Sequence, residues 1–201
     1  MKARKYMPKY AALMMGALFV MSCLLPGMIP LTPIPTPPAP TMEKNVDTVL
    51  EVLRGRDFHP IASLAKEQYT EEDYAKPGTL TYTVTIEDNK PVYFNYGWCT
   101  TTEEILKQNF EHIAVRLYIN EEQLGNDEVH NLSYSTADNL LCIDFGVLLS
   151  DWPPGEYKLE AIATFDQKIN DGLSDYEAGD YIFQYNVSVE KSQDSTQTPS
   201  P

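Results

Sequence analysis

Thr79-Leu-Thr-Tyr-Thr-Val-Thr-Ile86 decides the fold. Leu80, Tyr82, Val84 and Ile86 alternate with four threonines, the period of two expected of a half-buried strand with one apolar and one polar face. The same period recurs downstream. Asp88-Asn89 turns the chain, and Val92, Phe94, Tyr96 and Trp98 resume the alternation. Ile113, Val115, Leu117 and Ile119 make a third strand, Val129–Ser135 a weaker fourth and the apolar run Leu140–Leu149 a fifth. Tyr157, Leu159, Ala161, Ala163 and Phe165 form the sixth, and Tyr181, Phe183, Tyr185, Val187 and Val189 the seventh. Seven strands within the 112 residues from Thr79 to Glu190 predict a mainly β protein, an antiparallel sandwich of two sheets.

Helical periodicity is confined to short stretches. Thr101–Phe110 interrupts the strands with an inserted helix, for which Thr101 and Glu104 have capping-box spacing. Upstream, Val46, Val49, Leu50 and Leu53 lie on one face of a helix ending at Gly55, a second helical patch covers Ile61–Gln68, and Thr70–Tyr74 is a capped turn before Pro77-Gly78. Residues 43–78 are therefore expected to be a helical extension packed on the sandwich of 79–190.

The amino terminus has a different composition. Lys2, Arg4, Lys5 and Lys9 precede the apolar run Ala11–Cys23, the charged region and apolar core of an export signal spanning 1–22. Pro26–Pro40 holds seven of the 15 prolines and favours an extended polyproline stalk, so 23–42 is read as attachment cysteine plus linker. Lys191–Pro201 is polar, without periodicity, and is expected to be a disordered tail. The formal net charge is -14, from 15 basic and 29 acidic side chains; all four basic groups before Cys23 belong to the signal, so the rest carries 11 against 29. Such a domain has no basic face for a phosphate backbone, which excludes nucleic acid as a partner.

Two resemblances add to this reading. Val20-Met-Ser-Cys23 resembles a bacterial lipobox, which implies lipid attachment at Cys23 and an extracytoplasmic domain tethered to the membrane. The alternatives are an uncleaved transmembrane anchor continuing through Leu24, Leu25, Met28 and Ile29, which also leaves the domain outside, and simple cleavage of the signal. Trp152-Pro-Pro-Gly-Glu-Tyr157-Lys-Leu-Glu-Ala161 is similar to the turn and penultimate strand of immunoglobulin-like domains, in which a tyrosine hydroxyl ties down a corner.

The candidate chemistry is sparse. With Cys23 assigned to lipid, Cys99 and Cys142 remain as an even pair in an oxidising compartment, and a disulfide between them is expected. If Ile143 and Phe145 face the core, Cys142 faces away, so the bridge is expected to pin the helix-bearing connection to the sheet and not to join the two sheets. The competing reading is a Cys nucleophile with His112 or His130 as base. Asp166, Asn170, Asp171, Asp175, Glu177 and Asp180 place oxygen ligands of the type calcium takes within one loop, although Lys168 sits among them and a solvated loop is the favoured reading. Tyr93, Tyr96, Trp98 and Trp152 are candidates for an aromatic ligand platform if they reach the surface. No cofactor is expected.

No triad, nucleotide loop or paired-carboxylate motif stands out. The sequence therefore favours a non-enzymatic, membrane-tethered binding or interaction module for a protein or carbohydrate ligand. The alternatives are a structural envelope component or accessory subunit, and, further off, an extracytoplasmic hydrolase.

Overall fold

The computed structural model describes residues 36–55 and 58–192; the signal, Cys23, most of the proline stalk and the tail from residue 193 lie outside the described residues. Seven main strands follow one another: β1 (Gly78–Glu87), β2 (Val92–Thr100), β3 (Ile113–Ile119), β4 (His130–Ser135), β5 (Leu141–Ser150), β6 (Gly155–Phe165) and β7 (Gly179–Glu190). They form two sheets, one ordered β1-β7-β6-β3 and the other β2-β5-β4. The fold is an immunoglobulin-like β-sandwich with a few short helices.

The alternation read from the sequence sets which side chains meet between the sheets. Tyr82, Val84 and Ile86 of β1, Val92, Phe94, Tyr96 and Trp98 of β2, and Val147 and Leu149 of β5 are all buried there. Leu159, Ala161 and Ala163 of the central strand β6 are wholly buried. Aromatic contacts tie the layers together: Phe94 meets Tyr185 edge-on at 6.1 Å, and Trp98 meets Phe165 edge-on at 5.2 Å.

Among the seven main strands one pairing departs from the antiparallel expectation. β1 and β7 run parallel over ten residue pairs, from Gly78↔Tyr181 to Glu87↔Glu190. Parallel neighbours need a long crossover, and the whole intervening domain serves as one.

The extension is helical at both ends. α1 (Val46–Gly55) packs Val49 against Tyr93 and Leu148 on the outer face of the second sheet, with Val52, Leu53 and Phe58 around them. Ile61–Leu64 is a single 3-10 turn and not a helix to Gln68; beyond it Lys66 N donates to Thr83 O, drawing the chain along β1. α2 (Glu71–Tyr74) is capped reciprocally by Thr70 and Asp73. The inserted helix α3 (Glu103–Asn109) starts one residue later than expected, because Thr102 and not Thr101 accepts from Ile105 N. Thr101 is engaged elsewhere: its backbone N donates to Asp171 O at 2.9 Å.

Candidate functional site: the loop pole and its groove

Strand register separates two poles. Thr100 and Ser135 both pair with Leu141, and Ile113 and Gly179 both pair with Phe165. The β2–β3 connection (101–112), the β4–β5 turn (136–140) and the β6–β7 connection (166–178) therefore leave the strands at one pole. The first and last are fastened to each other by Thr101 N to Asp171 O, and by Asn109 Nδ2 to Asn170 O at 2.9 Å.

The described chain enters at the opposite pole. Pro37 lies against Gly155, and the Tyr157 hydroxyl donates to Pro153 O at 2.6 Å and to Pro38 O at 3.0 Å. Thr41 and Met42 then pair with Ser150 and Leu149. Tyr157 is the corner tyrosine expected from its sequence context, and it also clamps the incoming stalk.

Between α3 and the β4–β5 pair the loop pole opens into a groove of about 690 Å³. Leu106, Phe110, Leu141 and Ile143 give it an apolar floor, and Glu103 and Lys107 on α3 with Glu111 just beyond it a charged rim. The opening follows from the sequence of β4. Asn131, Ser133 and Ser135 occupy the alternate positions that share a face with Phe145, Ile143 and Leu141, and these short polar side chains do not fill the space beside them. A smaller cavity of about 220 Å³, lined by Leu117, Leu124, Val129, Asn131 and Phe145, continues along β4 past the Phe110–Phe145 contact.

Next to the groove, on the outer face of the same sheet, lies a buried acid. Asp144 is 7% exposed and accepts from Asn95 Nδ2 at 2.7 Å. It sits over Gly97, where an added Cβ would fall 2.7 Å from its Oδ1, while the Tyr93 ring covers Gly146. Burial pushes the Asp144 carboxyl above its ordinary range, opposed by the Asn95 and Tyr93 contacts. The Tyr93 hydroxyl is pushed up as well, by burial first and then by the Asp144 charge, and it is buried without a hydrogen-bond partner of normal geometry.

The residues singled out from the sequence have separate fates. Cys99 and Cys142 are joined, and the bridge links neighbouring strands β2 and β5 on the outer face of one sheet, leaving the two sheets unlinked by it. Neither sulfur is free to act as a nucleophile. His130 Nε2 lies 2.8 Å from Glu43 O, and His112 Nδ1 2.9 Å from an Asp166 carboxylate oxygen.

The four aromatics do not make a platform. Tyr93, Tyr96, Trp98 and Trp152 are all less than a tenth exposed. Tyr96 and Trp98 point into the sandwich because they hold the inward positions of β2; Tyr93 points outward but is covered by α1, and Trp152 packs on Tyr157.

The calcium candidates are dispersed by internal partners. Asp171 Oδ1 accepts from the backbone N of Leu173 and of Ser174, both at 2.7 Å, and its Oδ2 from the Tyr176 hydroxyl at 3.1 Å. Asn170 donates to Asp175 Oδ1 at 2.7 Å. Lys168 bridges Asp175 and Glu177 at 3.2 and 3.1 Å, and those two contacts hold its ammonium above its usual range. Asp166 faces His112, and Asp180 faces Thr164 and Arg116. The carboxylates that a cation would gather are thus used to build the hairpin Ile169–Tyr176, and among the described residues no group of three His, Cys, Asp or Glu is arranged to hold a metal. At its apex Leu173 is 71% exposed.

No family model matches the chain, and no curated protein matches it. Solved structures do. It is similar to the cysteine protease inhibitor EhICP2 from Entamoeba histolytica, at 10% identity and a TM-score of 0.31, over 66% of this chain and 96% of that one. It is also similar to amebosin, at 14% identity and a TM-score of 0.26, over 56% of this chain and 96% of that one. At these scores the likeness says nothing of what this chain binds. The groove was missed in the sequence, although the signal was there: β4 is the one strand whose inward positions are Asn and Ser.

Proposed function

We propose that the protein is a non-enzymatic, membrane-tethered binding module that presents its loop pole to a protein ligand outside the cytoplasm. The observation that carries this reading is the opposition of the two poles: the stalk side is clamped at Tyr157 and Pro38, and the groove and the exposed Leu173 lie at the far end. The lipobox-like Val20–Cys23, the proline stalk and a domain with two bridged cysteines fit an extracytoplasmic placement. An acidic domain is repelled by an anionic lipid surface, so a stalk that holds it off and points its loops outward is consistent with its charge.

A photo-crosslinking amino acid at Leu173 or Asp138, on the loop pole, tests the reading against the same group at Lys90, on the stalk side. In native membranes the loop-pole positions should trap a discrete protein and Lys90 should not. Crosslinks confined to Lys90, or none from either loop-pole position, would sink it.

A further inference from the structure

Sheet edges expose unpaired backbone groups and are templates for pairing with another chain, so folded proteins cover or charge them. Three of the four edges of this sandwich carry a partner over part of their length. Residues 66–69 run along β1, with Lys66 N on Thr83 O and the Tyr69 hydroxyl accepting from Thr81 N at 3.0 Å. Glu122–Gln123 pairs with β3 at Tyr118 and Ile119, and His59–Pro60 with β2 at Val92 and Tyr93. β4 differs. It pairs with β5 on one side, and along Asn131–Ser135 no other strand of the described residues pairs with its second side. Its sequence, His130-Asn-Leu-Ser-Tyr-Ser135, has no Lys, no Pro and no carboxylate to blunt that edge.

We propose that the free edge of β4 takes up an extended segment of a basic protein partner by strand addition. The proposal rests on the loop pole being the ligand face and specifies what that face recognises. Main-chain hydrogen bonds to β4 would supply register, and alternate side chains of the added strand would point into the groove, where Leu106, Phe110, Leu141 and Ile143 receive an apolar residue. The small inward side chains Asn131, Ser133 and Ser135 leave room for it.

The sign of the partner's charge follows from the rim. The three loop-pole connections (101–112, 136–140 and 166–178) carry eight carboxylates against Lys107 and Lys168, and Lys168 is already shared by Asp175 and Glu177. Glu103 and Glu111 border the groove itself. A second copy of this chain fits poorly there, because residues 36–192 carry 28 acidic against 11 basic side chains and two loop poles would repel.

The test uses the full chain and two short synthetic peptides, one alternating Lys with Val or Leu and its counterpart with Glu for Lys. Fluorescence anisotropy should show the basic peptide binding at least about tenfold more tightly, with the difference shrinking as salt rises. Amide exchange should slow at residues 131–135 in its presence. Glu103→Lys with Glu111→Lys, both exposed on the groove rim, should reverse the preference between the peptides.

Three results would overturn strand addition: no binding of the basic peptide, binding that protects other amides and leaves β4 unchanged, or protection of 131–135 that rises with protein concentration alone, which would make a second copy the occupant. If loop-pole crosslinks form while the peptide leaves β4 unprotected, strand addition fails and the binding module stands; if the crosslinks are missing, the module itself fails.

Discussion

Gly172 and Thr101 are in such close approach that a Cβ on Gly172 would lie 1.8 Å from the Thr101 Oγ1. Gly172 also has φ +96°, a conformation that L side chains rarely adopt. Together with Thr101 N to Asp171 O, this contact seats the Leu173 hairpin on the start of the inserted helix and gives the loop pole one arrangement.

Gly172→Ala should therefore destabilise the protein by about 2 to 4 kcal/mol, the sum of a strained φ and an overpacked contact. Urea unfolding measures it. A loss below about 0.5 kcal/mol, the range of an ordinary surface substitution, would show that the hairpin shifts freely and that the pole is not preorganised.

The Cys99–Cys142 bridge joins residues 43 apart in sequence. Loop-closure entropy assigns such a cross-link about 3 to 4 kcal/mol, so the Cys99→Ala, Cys142→Ala double variant should lower stability by up to that amount. Because the two residues are already neighbours in the β2–β5 ladder, the ladder itself should survive. Mass mapping without reductant should recover the two cysteines in one linked peptide; two free thiols would refute the bridge.

Asp144 gives a pH dependence whose sign can be worked out. Its folded-state carboxyl is raised above the unfolded value of 3.8, chiefly by burial. Its stabilising contribution is thus full below the unfolded pKa and is lost as pH rises through the folded one. Asp144→Asn keeps an acceptor for Asn95 and removes the buried charge, so it should stabilise at pH 7 by about 1 kcal/mol, with the advantage vanishing near pH 4. Glu67, Asp73, Asp88 and Asp175 are shifted down by hydrogen bonds at the surface and slope the other way, but they are common to both proteins and cancel in the difference. A difference in Tm that is flat from pH 4 to 7 would refute the assignment.

Attachment to the membrane is checked by metabolic labelling with palmitate. Label should be present in the wild type and absent after Cys23→Ala. Unlabelled wild-type protein that still sediments with membranes would favour the uncleaved anchor through Ile29.

Much of the sandwich was legible because burial between two sheets imposes a period of two. Leu80–Ile86, Val92–Trp98 and Tyr157–Phe165 show it plainly, and their inward sets match the core. The inserted helix was legible to within a residue, since its cap lies in a run of three threonines, any of which has the needed hydroxyl. In the aromatic platform Tyr96 and Trp98 already shared the apolar parity of Val92 and Phe94, whereas whether Tyr93 on an outward position is open or covered depends on α1, about 40 residues earlier in the chain.

The sequence by itself determined the strands, their two-faced character and the acidic charge of the domain, because each of these follows from spacing or from composition. Only the tertiary structure decided how far each edge is paired, that β1 lies parallel to β7, and that Pro37–Pro38 and the three long connections lie at opposite poles. Those are relations between residues far apart in sequence. They are fixed by how two sheets and their connections close around a single core, and no local period records that.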